Sequence, residues 1–158
     1  MESNEETSER GPSIELVRAS TEDVDAYVEL EKSIGSSKTY SAMTTSEEAL
    51  DELSKSIVYF IKENAKIVGS VSYVMKAPNH AYIDGLLVTP SHQGHGLGRA
   101  AMLKILDKLK GVELIDLVTH PDNVASIKLY QSLGFTVGKS IENYFGDGEP
   151  RIVMTLKR

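Results

Sequence analysis

Three groups of residues in this 158-residue chain have the types and spacing for chemistry. The first is Gln93-Gly94-His95-Gly96-Leu97-Gly98-Arg99, three alternating glycines ahead of a helical stripe of Leu97, Ala101, Met102, Ile105 and Leu109. Glycine takes φ > 0 freely and lets another molecule come close to the main chain. A helix start leaves amides without acceptors, backed by the positive end of the helix dipole, which suits phosphate. The second group is Asn123, Ser126 and Tyr130, which share one helix face over about 10 Å. The third is Tyr82, Asp84 and His120, candidates for removing a proton. Strand alternation places Tyr82, Asp84, Leu86 and Val88 on one face and Ile83, Gly85 and Leu87 on the other. His120 ends the next strand and has the titration range of a base. Each has a plain alternative: Tyr82 as a core tyrosine, Asp84 bonding a backbone amide, His120 solvated in a turn.

Three loop types compete for the glycine run. A P-loop requires the full G-x-x-x-x-G-K-[ST] pattern, which the chain lacks. The dinucleotide fingerprint G-x-G-x-x-G falls one residue short, with Arg at 99. The pattern Q/R-x-x-G-x-G/A fits Gln93 to Gly98 in full.

The elements that must hold these groups follow from pattern. Residues 1–12 are polar and acidic and are expected to be a disordered tail, with one domain over 13–158. Ser13 to Ala19 alternates as a strand, and Ser20 or Thr21 caps a helix carrying Val24, Tyr27, Val28, Leu30 and Ile34. A polar loop with Tyr40 and Met43 precedes a short helix from Thr45 through Leu53. Two strands, 57–61 and 67–75, turn at 63–66, and Pro78-Asn79 leads into the strand 81–89. After the glycine run and its helix come a strand at 114–119, a helix from Pro121 to Leu133 stopped by Gly134, and two last strands at 135–137 and 152–156. The order is β-α-α-β-β-β-α-β-α-β-β.

Composition narrows the partners. An apolar fraction of 41% and a charged fraction of 25% are those of a globular protein. A net charge of −6 argues against nucleic acid and favours cationic partners such as amines. The absence of cysteine excludes thiol catalysis and disulfides. With no apolar run of membrane length and no signal-peptide core, no membrane contact and a cytoplasmic location are expected.

The loop Gln93–Gly98 resembles the acyl-CoA loop of the GNAT superfamily of N-acetyltransferases. The element order over 13–157 is that of the GNAT fold. The segment Asn123-Val-Ala-Ser126-Ile-Lys-Leu129-Tyr130-Gln-Ser-Leu133-Gly134-Phe135 is similar to the family's N-x-x-A/S-x-x-L/F-Y-x-x-x-G-F stretch. The resemblance implies an α/β (α+β) fold with a mostly antiparallel sheet of about seven strands and about four helices, and two parallel strands splayed in the middle. It implies acetyl-CoA as cosubstrate and no metal. The pantetheine arm would pair along Leu86, Leu87 and Val88, with an oxyanion donor near Val88. The pyrophosphate would sit on Gln93, Gly94, His95, Gly96, Leu97, Gly98 and Arg99, the last either touching phosphate or merely solvated. Asn123 and Ser126 would flank the arm, and Tyr130 would act as general acid at the sulfur. Tyr82, Asp84 and His120 stay open as bases.

The stretch Glu142-Asn143-Tyr144-Phe145-Gly146-Asp147-Gly148-Glu149 resembles the ending of ribosomal-protein N-terminal acetyltransferases, although Pro150-Arg151 departs from their Asp-Ala. Tyr144 and Phe145 are thus expected at the acceptor's entry, with Tyr40 on the pocket floor. A peptide N-terminus is the expected acceptor and a small amine or polyamine the alternative. At pH 7 an α-amine costs about 1 kcal/mol to deprotonate and a lysine about 4.6. An acyl-CoA-binding module without turnover and a dinucleotide-binding domain are the competing classes. Edge strands near the C-terminus leave a homodimer open.

Overall fold

Residues 12–35 and 38–158 are described by a computed structural model. The expected acidic tail lies outside the described residues except for Pro12. The chain runs β1 (Glu15–Arg18), α1 (Val24–Lys32), α2 (Ser46–Lys55), β2 (Ile57–Glu63), β3 (Lys66–Ala77), β4 (His80–Val88), α3 (Leu97–Lys108), β5 (Leu114–Thr119), α4 (Val124–Ser132), β6 (Thr136–Ile141) and β7 (Arg151–Lys157). The expected order is borne out, and β6 runs four residues past Val137.

Local chemistry accounts for the boundaries. Ser20 opens a 3-10 turn ahead of α1: its Oγ accepts from the Glu22 amide at 3.3 Å, while its own amide donates to Asp23 Oδ2 at 2.8 Å. Thr45 caps α2 by accepting from the Glu48 amide at 3.2 Å. Asn64 and Ala65 both take φ > 0 between β2 and β3, the conformation of a tight two-residue hairpin.

The seven strands form one sheet in the order β1-β2-β3-β4-β5-β7-β6. Among its pairings only β4–β5 is parallel. Two apolar layers flank it. Ala101, Met102 and Ile105 of α3 pack with Ile83, Ile115 and Leu117 on one face. Tyr27, Val28 and Leu30 of α1 join Ala49 and Leu53 of α2, Val58, Phe60 and Leu87 on the other.

Two irregularities in β4 make the site. Its pairing with β5 runs from His80↔Leu114 to Ile83↔Leu117 and stops, so the strands part as expected and the main chain of Asp84 to Val88 has a free edge on that side. Its register with β3 also slips: Ser72 pairs with Gly85 but Tyr73 with Ile83, leaving Asp84 as an extra residue. Such a bulge shifts the side-chain alternation. The expected common face for Tyr82, Asp84, Leu86 and Val88 is therefore corrected. Leu86 and Val88 pack on the α3 layer with Ile83, and Leu87 on the α1–α2 layer. Asp84 bonds Ser56 at the end of α2.

Candidate active site

The glycine run forms the mouth of α3. Gly94 and Gly96 sit at φ +81° and +78°, a region that penalises any side chain. The first helical bond is the Ala100 amide to the Gly96 carbonyl at 3.0 Å, so the amides of Leu97, Gly98 and Arg99 have no acceptor within the helix. Leu97's side chain is buried in the core and leaves only its main chain at the mouth. Gln93 Nε2 donates to the Val88 carbonyl at 2.9 Å, tying the loop to the end of β4. Arg99 is exposed and donates to Ser132 Oγ. A cleft of about 620 Å³ runs past this loop, the Leu86–Val88 edge, Asn123 and Ser126. His95 does not line it; its ring sits on the His92 carbonyl at 3.2 Å.

A second cavity, of about 480 Å³, meets the cleft at Tyr40, Leu86, Asn123 and Ser126. It passes through the gap where β4 and β5 part, touching Tyr27 in the α1–α2 layer and Tyr130 in the α3–α4 layer. The Tyr130 side chain is buried, with the Phe135 ring 6.0 Å away. Among the described residues its hydroxyl has no hydrogen-bond partner, yet it is not sealed off and reaches the cavity wall. Burial pushes this phenol up to about 12. Asn123 caps α4, its Oδ1 accepting from the Ser126 amide at 3.4 Å.

The third group disperses. Tyr82 lines the cavity, its hydroxyl 3.2 Å from that of Tyr144, with Lys76 over its ring. Burial, then the bond to Tyr144, pushes its phenol well above the usual range, which disfavours a tyrosinate base. Asp84 lines the cavity as well. His120 does not. Its Nδ1 accepts from the Asp122 amide at 3.0 Å, so in the neutral ring Nε2–H donates to Glu149 Oε1 at 2.7 Å. Both nitrogens are engaged, and the ring ties the β5–α4 turn to the β6–β7 loop. Tyr40, Tyr144 and Phe145 all line the cavity, the last two rings edge to face at 4.7 Å.

The family model for "Acetyltransferase (GNAT) family" matches residues 24–135, spanning the cleft, the loop and Tyr130. The chain belongs to the GNAT acetyltransferase family. The ribosomal protein bS18-alanine N-acetyltransferase of Escherichia coli (strain K12) is 37% identical over 83 residues, 49% of this chain and 56% of the relative. The mycothiol acetyltransferase of Renibacterium salmoninarum is 44% identical over 62 residues, 38% of this chain and 18% of the relative. The chain's matches thus span about half or less of the length of these curated relatives. Two solved structures show the same fold. The ribosomal-protein-S18-alanine N-acetyltransferase from Escherichia coli has a TM-score of 0.76 at 23% identity, over 92% of this chain and 94% of that one. A putative acetyltransferase from Salmonella typhimurium with its cofactor acetyl-CoA has a TM-score of 0.72 at 23% identity, over the same shares.

Three cavity residues of this GNAT domain escape sequence pattern: Glu31, Glu52 and Arg151. Glu31 is fully buried, accepts from Tyr40 Oη at 2.8 Å and the Met43 amide at 3.1 Å, and so anchors the α1–α2 loop. Arg151 is buried too, bound to Asp147 Oδ2 at 3.1 Å and the Pro150 carbonyl, with its guanidinium over Phe145. A signal for both glutamates lies in spacing: Glu31 follows Tyr27 by four on the buried face of α1, and Glu52 follows Ala49 by three on that of α2.

Proposed function

We propose that this chain is an acetyl-CoA-dependent N-acetyltransferase that acts on a primary amine in a ternary complex, with a protein N-terminus as the acceptor. The observation that carries this reading is Tyr130, a buried side chain on the cavity wall whose hydroxyl has no partner among the described residues and is not sealed off. The cleft fits coenzyme A: three amides without helical acceptors for a diphosphate, and the unpaired edge of Asp84 to Val88 for an amide-bearing arm. Gln93, Gly94, Gly96 and Arg99 would hold the diphosphate end, and Asn123 and Ser126 the arm. When bound, acetyl-CoA supplies an acetyl group as a thioester. Tyr130 would stabilise charge arising on a leaving sulfur.

The protein N-terminus is supported by the match to the bS18-alanine enzyme and by the mouth built from Tyr82, Tyr144 and Phe145. A second reading, a small polyamine, is favoured by the carboxyl side chains of Glu31, Glu48, Glu52 and Asp84 around the cavity. The test is acetyl transfer to mixed peptide N-termini, lysine peptides and polyamines, read by product mass. Acetylated α-amines are the expected result; products on polyamines alone favour the second reading. Thermal protection by NAD and none by coenzyme A refutes both.

A further inference from the structure

Of the base candidates, Asp84 is paired in the cavity with a second carboxyl, Glu52, that the sequence did not single out. Ser56 Oγ lies 2.8 Å from Glu52 Oε1 and 2.8 Å from Asp84 Oδ2, and Ser72 Oγ donates to Asp84 Oδ1 at 2.6 Å. A hydroxyl has one proton to donate. One contact at Ser56 therefore needs a proton carried by a carboxyl. Ser56 thus bridges Glu52 and Asp84, and the two carboxyls hold one proton between them. A second, independent observation points the same way. The Tyr130 side chain, more than nine-tenths buried, lines the same cavity, and its hydroxyl has no partner among the described residues.

We propose that Glu52, paired with Asp84, takes the proton from the acceptor's ammonium, an inference that rests on the acetyl-transfer reading above. Ionised Glu52 accepts one proton from nitrogen. The freed lone pair forms the bond to the acetyl carbon as the carbon–sulfur bond breaks. Of the two protons that nitrogen gives up, one ends on sulfur and one passes through Glu52 to solvent.

The groups around Glu52 suit the task. Glu31 and Tyr27 face it from α1, Tyr40 from the α1–α2 loop, and Asp84 and Tyr82 from β4; the cavity's buried cation, Arg151, is engaged by Asp147. Burial, then the bond to Asp84 and its charge, pushes the Glu52 carboxyl up to about 8. A carboxyl raised in this direction is a stronger base toward an ammonium than an ordinary carboxylate is.

The experiment is kcat against pH at saturating acetyl-CoA and acceptor, for the native chain and the variants Glu52→Gln, Glu52→Asp and Asp84→Asn, with melting and acetyl-CoA binding measured on each. The native kcat is expected to rise along a limb set by the pair. Asp84→Asn is expected to move that limb at least one pH unit lower, because Glu52 loses its charged neighbour. Glu52→Gln is expected to lose the limb and about 100-fold in kcat, Glu52→Asp to recover part of it, and acetyl-CoA affinity to stay within about twofold. A Glu52→Gln enzyme with native kcat and limb overturns the proposal and leaves the transferase reading intact. A native chain that binds acetyl-CoA but acetylates no amine overturns the transferase reading itself.

Discussion

Replacing Tyr130 with Phe removes an oxygen that bonds nothing among the described residues and faces the cavity, while the ring stays in the core. Stability is expected to change by less than about 0.5 kcal/mol, a melting shift of about 2 °C or less. Catalysis is expected to lose more. Burial holds the phenol up to about 12, against roughly 8.5 for an ordinary thiol. Complete transfer of its proton to a thiolate would be uphill by about 5 kcal/mol. The hydroxyl is thus better suited to donating a hydrogen bond to growing charge than to surrendering its proton early. A hydrogen bond to a charged group is worth about 1.5–3 kcal/mol, or roughly 10- to 160-fold in kcat. Steady-state transfer with kcat and the KM for acetyl-CoA determined separately reads this directly, alongside a melting curve. The expected pattern is a fall in kcat within that range and a nearly unchanged KM. A loss beyond about 1,000-fold would refute the hydrogen-bond estimate and indicate full proton donation. An unchanged kcat across the pH range would refute any catalytic role for Tyr130.

Other perturbations test the frame around it. Gly94→Ala adds a Cβ that meets nothing within 4 Å, so only backbone strain at φ +81° is felt: about 1 kcal/mol of stability, with weaker acetyl-CoA binding by calorimetry as the loop relaxes. Burial, then Asp84, pushes the Glu52 carboxyl well above its ordinary 4.5 in the folded chain, so the folded chain holds an extra proton above that value and stability falls as pH rises from it. Glu52→Gln should flatten the decline by about 2 kcal/mol, under half the face value because the carboxyl is partly open to the cavity, as read by denaturant midpoints at pH 5 and 9. Met102→Ala, at a fully buried site under the sheet, should cost about 2–5 kcal/mol without altering the pH dependence of kcat.

Much of this was legible in the sequence because it rests on local rules. Alternation, caps and helical stripes located the strands and helices, and glycines at 94 and 96 announced left-handed backbone before α3. What escaped is non-local. Asp84 becomes an extra residue only because of where β3 pairs, so simple alternation assigned Leu86 and Val88 to the wrong face. His120 has a suitable side chain for a base, but two partners brought from residues 122 and 149 commit its nitrogens. Glu52 looks like one more surface acid on a helix of charged residues until Ser56 and Asp84 close around it.

The bulge at Asp84 divides one strand into two kinds of surface. Ahead of it, what matters is the identity of side chains, since Tyr82 and Asp84 point at whatever enters from the aromatic mouth. Beyond it, the useful groups belong to the backbone and are the same for almost any residue written there. Changes at 82 can therefore alter what the aromatic mouth admits while the main-chain edge beyond the bulge keeps its shape. A lineage carrying this kink can vary the mouth side of the strand at little risk to the main-chain edge that follows it.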